Sequence, residues 1–142
     1  MAFQTRDPAW AEKARAVFDR AAFVGDLGMA LAMAAPGRCE TTLDILPRHG
    51  QQDGFVHAGV LVTMADHTAG VAAATLLEPG QSVRTFELHV RFVKPARGKA
   101  LRCVGNVVRP GRSVTFADAE VFSDGEPVAR VSVTLSVVKV GW

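Results

Sequence analysis

Cysteine is scarce in this 142-residue chain. Cys39 and Cys103 stand alone inside alternating apolar stretches, with no metal-ligand spacing and too few partners for a disulfide framework. Two buried thiols in a reducing compartment, the cytoplasm, are expected. Charge of one sign is scarce as well. A formal net charge of +2 without a long Lys/Arg block argues against a nucleic-acid partner. The longest apolar run, 60–77, is broken by Asp66 and His67, so no membrane span is expected. The N-terminus does not follow the basic-then-apolar order of a signal peptide. GxGxxG, Walker A and GxSxG patterns are missing, which leaves dinucleotide-binding, P-loop and serine-hydrolase readings without support. His49 and His89 have no ligand spacing, so neither a metal nor a redox cofactor is expected. No repeat, linker or low-complexity tract divides the chain, and a single domain over 1–142 follows.

The remaining sequence reads as a short helix, a hairpin, a long apolar helix and four strands. Asp7-Pro8 resembles an N-cap followed by a proline at the first helical position, and Trp10, Ala14, Val17, Phe18 and Ala21 recur at helical spacing. Gly25 or Gly28 can end that helix. Segments 29–35 and 38–46 flank the turn signal Pro36-Gly37, and Cys39, Thr41, Leu43 and Ile45 alternate with Glu40, Thr42 and Asp44. A polar loop over 47–55 leads into a helix predicted over 58–77 and stopped by Pro79-Gly80. Val60, Leu61, Met64, Val71 and Ala74 form one apolar stripe of that helix, and Thr63, Asp66, Gly70 and Ala73 a narrower one. Strands are predicted over 82–94, 99–109, 113–123 and 127–140. The first of them places Phe86, Leu88, Val90 and Phe92 on one face and Thr85, Glu87, His89 and Arg91 on the other. Gly98, Pro110-Gly111 and Asp124-Gly125 supply short turns, which favour antiparallel neighbours. The fold class is therefore α+β: a curved antiparallel sheet around a long central helix, with a short N-terminal helix.

Asp66 is the residue that most needs explaining, because a lone carboxylate inside an apolar helix is costly unless it is bonded or used. Two readings compete: a general base or nucleophile, and a carboxylate capping a donor on a neighbouring element. At the start of the same helix, His57-Ala58-Gly59 combines small residues with free backbone N–H groups and a partial positive charge. That arrangement suits an oxyanion, and it equally suits a tight loop-to-helix turn. Local basic clusters over 91–102 and 109–112 are either solvated faces or phosphate contacts.

The ordered set of motifs resembles the hotdog-fold acyl-CoA thioesterases of the phenylacetate-degradation (PaaI-type) branch. The matching residues are Leu27-Gly28, His57-Ala58-Gly59, Met64-Ala65-Asp66 with Gly70, Phe92-Val93-Lys94-Pro95-Ala96 with Gly98, and Arg109-Pro110-Gly111-Arg112-Ser113. The likeness runs from about residue 15 to 139, nearly the whole chain. Two departures stand out: Ala58 replaces the first motif glycine, and Gln51 replaces an Asn often found six residues before the motif histidine.

The resemblance implies hydrolysis of aryl- or medium-chain acyl-CoA to free acid and CoA, without a cofactor. It implies Asp66 as base or nucleophile, the Ala58 and Gly59 amides with Gln51 as carbonyl-polarising donors, and Thr85 as a holder of water. His57 would orient the loop or bond near the thioester, and Arg109, Gly111 and Arg112 would lie near the CoA phosphates. Ala58 and Asp66 are eight residues apart, about 12 Å along a helix, whereas reacting groups must meet within about 3.5 Å. A two-fold dimer, or a dimer of dimers, resolves this by pairing one protomer's helix N-terminus with the other's Asp66. The alternatives are an acyl-CoA-binding module without turnover and a hotdog dehydratase or hydratase.

Overall fold

The computed structural model describes residues 2–141. Asp7 and Pro8 are not the N-cap and first residue of the helix, which begins later than expected as α1 (Trp10–Asp19) with Ala9 as N-cap and no side-chain cap; Asp7 instead accepts from Ala9 N–H at 2.8 Å in the preceding turn and pairs with Lys13 at 3.1 Å. The N-terminal helical region is also two helices. After a break at Arg20-Ala21 comes α2 (Ala22–Leu27), closed by Gly28 in the left-handed region at φ 94°. Strands β1 (Met29–Ala35) and β2 (Arg38–Asp44) form the expected hairpin, with Ala35 opposite Arg38 across Pro36-Gly37. Cys39, Thr41 and Leu43 are buried, as their alternation required. The second strand stops at Asp44 rather than 46, because a 3-10 turn at Pro47–His49 begins directly afterwards.

The long helix is α3 (Ala58–Ala74). Its predicted end at 77 is three residues too far. Thr75 Oγ1 donates to Ala72 O at 2.6 Å and accepts from Gly37 N–H at 2.8 Å, so a residue of the first hairpin finishes the helix. Leu76 and Leu77 then follow in a tighter turn and remain buried. From Thr68 to Ala74 every residue of α3 is buried, the outcome expected of a helix that is apolar on most sides.

Strands β3 (Gln81–Phe92), β4 (Ala100–Arg109), β5 (Val114–Ser123) and β6 (Glu126–Lys139) complete one six-stranded antiparallel sheet in the order β1-β2-β4-β5-β6-β3. Asp124-Gly125 makes the tight β5–β6 turn, with positive φ at both residues. The curved sheet wraps α3, which lies against β2, β4 and β5. Contact is closest at Gly105 on β4: a Cβ there would stand 3.0 Å from Thr68 O and 3.1 Å from Ala69 N. Between β2 and α3, the Thr41 and Thr68 hydroxyls share one hydrogen bond at 2.7 Å. Cys39 and Cys103 are unpaired, and burial pushes both thiols up to about 12. This is the hotdog architecture. Among the described residues no helix is long and apolar enough to cross a membrane.

The predicted alternation of β3 needs one correction. Its register with β6 slips between Thr85 and Glu87, leaving Phe86 as the extra residue of a bulge, 62% exposed. A bulge shifts the two-residue period by one. Leu88 and Val90 therefore keep the inner face, while Thr85, expected on the face opposite theirs, sits across from buried Leu135 on the same inner face. That local irregularity positions the candidate site.

Candidate active site

Asp66 lies on the third turn of α3, half-buried, facing the start of β3. Because the bulge turns Thr85 inward, its Oγ1 donates to Asp66 Oδ1 at 2.6 Å. Among the described residues no donor reaches Oδ2, which is left for solvent or a ligand. The two side chains open onto a depression of about 210 Å³, lined also by Val17, His67, Gly70, Val83 and Leu135, with exposed Arg20 and Arg84 at its rim. Arg84 Nη1 bonds Ser82 Oγ at 3.3 Å and Val83 O at 3.1 Å.

His67 is next to Asp66 in sequence, yet its ring turns away and packs on Phe18, centroid to centroid 5.5 Å. Its Nε2 is buried without a hydrogen-bond partner among the described residues. Burial holds the imidazole below its ordinary pKa, against opposing contributions from the Phe18 backbone and Asp66.

The N-terminus of α3 is exposed and shaped by its own cap. His57 is the N-cap, extended at φ −60° and ψ 136°, and its Nδ1 accepts from Gly59 N–H at 2.8 Å. The ring is thus fixed with its hydrogen on Nε2, and the Gly59 amide is already taken. Ala58, the first helical residue, keeps an N–H with no acceptor within the helix. Gln51 folds back on its loop, its Oε1 accepting from Asp53 N–H at 2.5 Å and Phe55 N–H at 3.2 Å, so only its Nε2 remains to donate outward. Ala58 and Asp66 remain on one continuous helix, about 12 Å apart along its axis. The structure brings Asp66 and Thr85 together, brings His57, Ala58 and Gly59 together, and keeps the two groups apart within the protomer.

Arg109, Gly111 and Arg112 occupy the β4–β5 turn, at the C-terminal end of α3, where Val107 N–H bonds Gly37 O and Gly37 N–H bonds Thr75. A Cβ on Gly111 would lie 2.2 Å from Val114 O, so the turn is built around a residue without one. The turn stands three residues beyond the register row Thr85–Leu135–Thr115, on the side away from the helix N-terminus. Neither arginine has an ion-pair partner among the described residues. A separate depression of about 500 Å³ lies on the outer face of the sheet. None of the expected site residues lines it, and the Arg130–Glu120 pair stands in it.

One positioning residue was missed at the level of sequence. His49, which has no ligand spacing in the sequence, is fully buried and uses both ring nitrogens. Its Nδ1 accepts from Leu46 N–H at 2.9 Å and its Nε2 donates to Leu27 O at 2.7 Å. Its backbone carbonyl also receives His57 N–H at 2.8 Å, so His49 anchors the loop that delivers the N-terminus of α3. The only hint was a histidine amid a Gly- and Pro-containing loop, where long-range partners cannot be read.

Comparison with known proteins agrees with this architecture. A thioesterase family protein from Silicibacter pomeroyi superposes with a TM-score of 0.87 at 36% identity, over 92% of this chain and 98% of that one. The BH2602 protein from Bacillus halodurans, solved with CoA, matches with a TM-score of 0.68 at 33% identity, over 70% of this chain and 66% of that one. The 1,4-dihydroxy-2-naphthoyl-CoA hydrolase of Listeria monocytogenes is 21% identical over 113 residues, covering 80% of this chain and 92% of its own. The family profile of the thioesterase superfamily matches residues 53–130, from the loop before α3 into β6, and the chain belongs to that superfamily.

Proposed function

We propose that this chain hydrolyses acyl-CoA thioesters to free acid and CoA, with Asp66 as the general base. The observation that carries this reading is the Thr85–Asp66 pair: one carboxylate oxygen is held by a hydroxyl at 2.6 Å and the other is open to the depression. A water set between them would give one proton to Asp66 Oδ2 and a hydrogen bond to Thr85 Oγ1, whose own hydrogen is committed to Asp66. Its oxygen would then face the thioester carbonyl. The developing oxyanion needs fixed donors. The Ala58 N–H is the one that α3 leaves unbonded, helped by the Gln51 amide and the positive end of the helix. Gly59 N–H would join only if the His57 ring rotated off it.

The 12 Å between these groups supports a site made by two protomers with antiparallel central helices. β3 supports it too, as a twelve-residue edge strand whose outer side is unpaired in the protomer. The CoA moiety fits the unpaired Arg109 and Arg112 with the close backbone turn at Gly111, since guanidinium forks suit phosphate oxygens. The CoA-bound relative supports that ligand class. The finer placement in the PaaI-type branch rests on the motif order, and a cytoplasmic setting on the two unpaired cysteines.

The test is release of CoA thiol across a panel of acyl- and aryl-CoA substrates by wild type and Asp66→Asn. The variant should retain its melting temperature and lose about 10²-fold or more in turnover. Wild-type rates in Asp66→Asn would refute the assignment. Tight CoA-ester binding without thiol release would favour a binding module instead, and hydration of enoyl-CoA a hydratase.

A further inference from the structure

The loop that delivers the N-terminus of α3 is tied down by two carbonyl groups. Val56 N–H donates to Ala96 O and His57 N–H to His49 O, each at 2.8 Å. Ala96 lies buried in the connection from β3 to β4, but His49 belongs to the loop itself, so its carbonyl is held no better than its side chain holds it. That side chain is 1% exposed, and a buried imidazole is costly unless both nitrogens are bonded. The two bonds differ in reach. Leu46 N–H, three residues back, donates to Nδ1 and closes only the 3-10 turn. Nε2–H spans 22 residues to Leu27 O, the last carbonyl of α2, which its own helix leaves without a donor. Arg48 Nη2 adds a longer bond to the same oxygen at 3.3 Å. The ring of His49 therefore fastens the loop to a neighbouring helix. The next amide after His57 is that of Ala58, the donor that α3 leaves unbonded, and Gln51 rides on the same loop through its N–H to Phe55 O at 2.7 Å.

We propose that His49 is the positioning residue for the carbonyl-polarising end: by its bond to Leu27 it fixes where the Ala58 N–H stands, and so sets the rate of a site whose base, Asp66, comes from the other protomer. The inference rests on the hydrolase reading above and adds a residue to it. A donor stabilises an oxyanion only where it is already aimed, and a misplacement of about 1 Å can cost about 10²-fold. His49 is sealed from solvent and touches no reacting atom, so its whole effect passes through the backbone of His57.

The test compares His49→Gln with His49→Asn. A glutamine amide can donate from the place of Nε2 and keeps the Leu27 bond, whereas an asparagine oxygen can accept at the place of Nδ1 and keeps only the Leu46 bond. His49→Asn should lower kcat for a CoA ester about 10²-fold, with KM changed less than about threefold. His49→Gln should stand at least about tenfold above it, the weight of one hydrogen bond. Amide exchange at His57 should quicken at least about tenfold in His49→Asn and stay near wild type in His49→Gln, with the amides of 68–74 unchanged in both. Refolded in equal amounts with Asp66→Asn, His49→Asn should regain about a quarter of wild-type activity, because about half of the dimers are mixed and each carries one site with neither change. A general folding defect would spoil both ends of its protomer and give no such recovery. Equal rates in the Gln and Asn variants, or unchanged exchange at His57, would overturn the proposal. Recovery of Asp66→Asn by Ala58→Pro, which deletes the Ala58 N–H, but not by His49→Asn would fail the proposal alone. A wild type that releases no CoA thiol would fail the hydrolase reading and take the proposal with it.

Discussion

Replacing Thr85 with valine removes one hydroxyl and keeps the shape of a β-branched strand residue, which makes it a clean probe of the Asp66 pair. The lost contact is a hydrogen bond to a carboxylate, a class worth about 1.5–3 kcal/mol. Thr85 is solvent-exposed on an edge strand, so the lower end applies. At about 1.4 kcal/mol per decade of rate, that amounts to about a tenfold fall in kcat. The hydroxyl orients the base and does not hold the ester, so KM should change little. Stability should fall by no more than about 1.5 kcal/mol, the low end of the same range, because no buried group is orphaned. Steady-state kinetics on a CoA ester, with thermal unfolding alongside, separates these effects, and Thr85→Ser should restore the rate. A Thr85→Val variant with wild-type kcat, or one whose whole effect lies in KM, would refute the role given to this contact.

Two further outcomes follow from the core. Gly105→Ala should destabilise by about 1–3 kcal/mol, because the methyl meets the Thr68 and Ala69 backbone at 3.0–3.1 Å and a helix main chain cannot turn aside as a side chain can; the urea midpoint measures it. His67 gives a pH dependence whose sign is fixed by its lowered pKa. The unfolded chain takes the proton more readily than the folded one, so stability is full above the ordinary value of 6.5 and declines as pH falls from there through the lower folded value. His67→Phe should flatten that part of the curve, and a variant that keeps the slope would assign it to other groups.

Much of the fold was legible in local chemistry. The alternation of β2 survives because one face is buried and the other is not, and Pro36-Gly37 and Asp124-Gly125 mark turns because they accept backbone conformations that other residues resist. What escaped was tertiary. α3 ends where the Thr75 hydroxyl accepts from Gly37 N–H, 38 residues earlier. The face of Thr85 is set by a bulge that exists only in the pairing of β3 with β6. Asp66 was visible because a lone carboxylate in an apolar helix stands out. Thr85 enters through the family resemblance, and its approach to Asp66 depends on a bulge that the two-residue alternation of β3 does not reveal. The His57–Gly59 bond spans only two residues, yet nothing in the sequence says that the ring turns toward the backbone and takes the Gly59 amide.

The central claim, that Asp66 of one protomer works with the helix N-terminus of another, is tested most directly by complementation. Ala58→Pro deletes the unbonded N–H at the first helical position, where proline is tolerated, and extended His57 is compatible with a following proline. Alone, Ala58→Pro and Asp66→Asn should each be nearly inactive. Unfolded together in equal amounts and refolded, half of the dimers would be mixed and each would carry one intact site of two, so activity should return to about a quarter of wild type. Refolded mixtures no more active than the two variants measured separately would contradict the shared site.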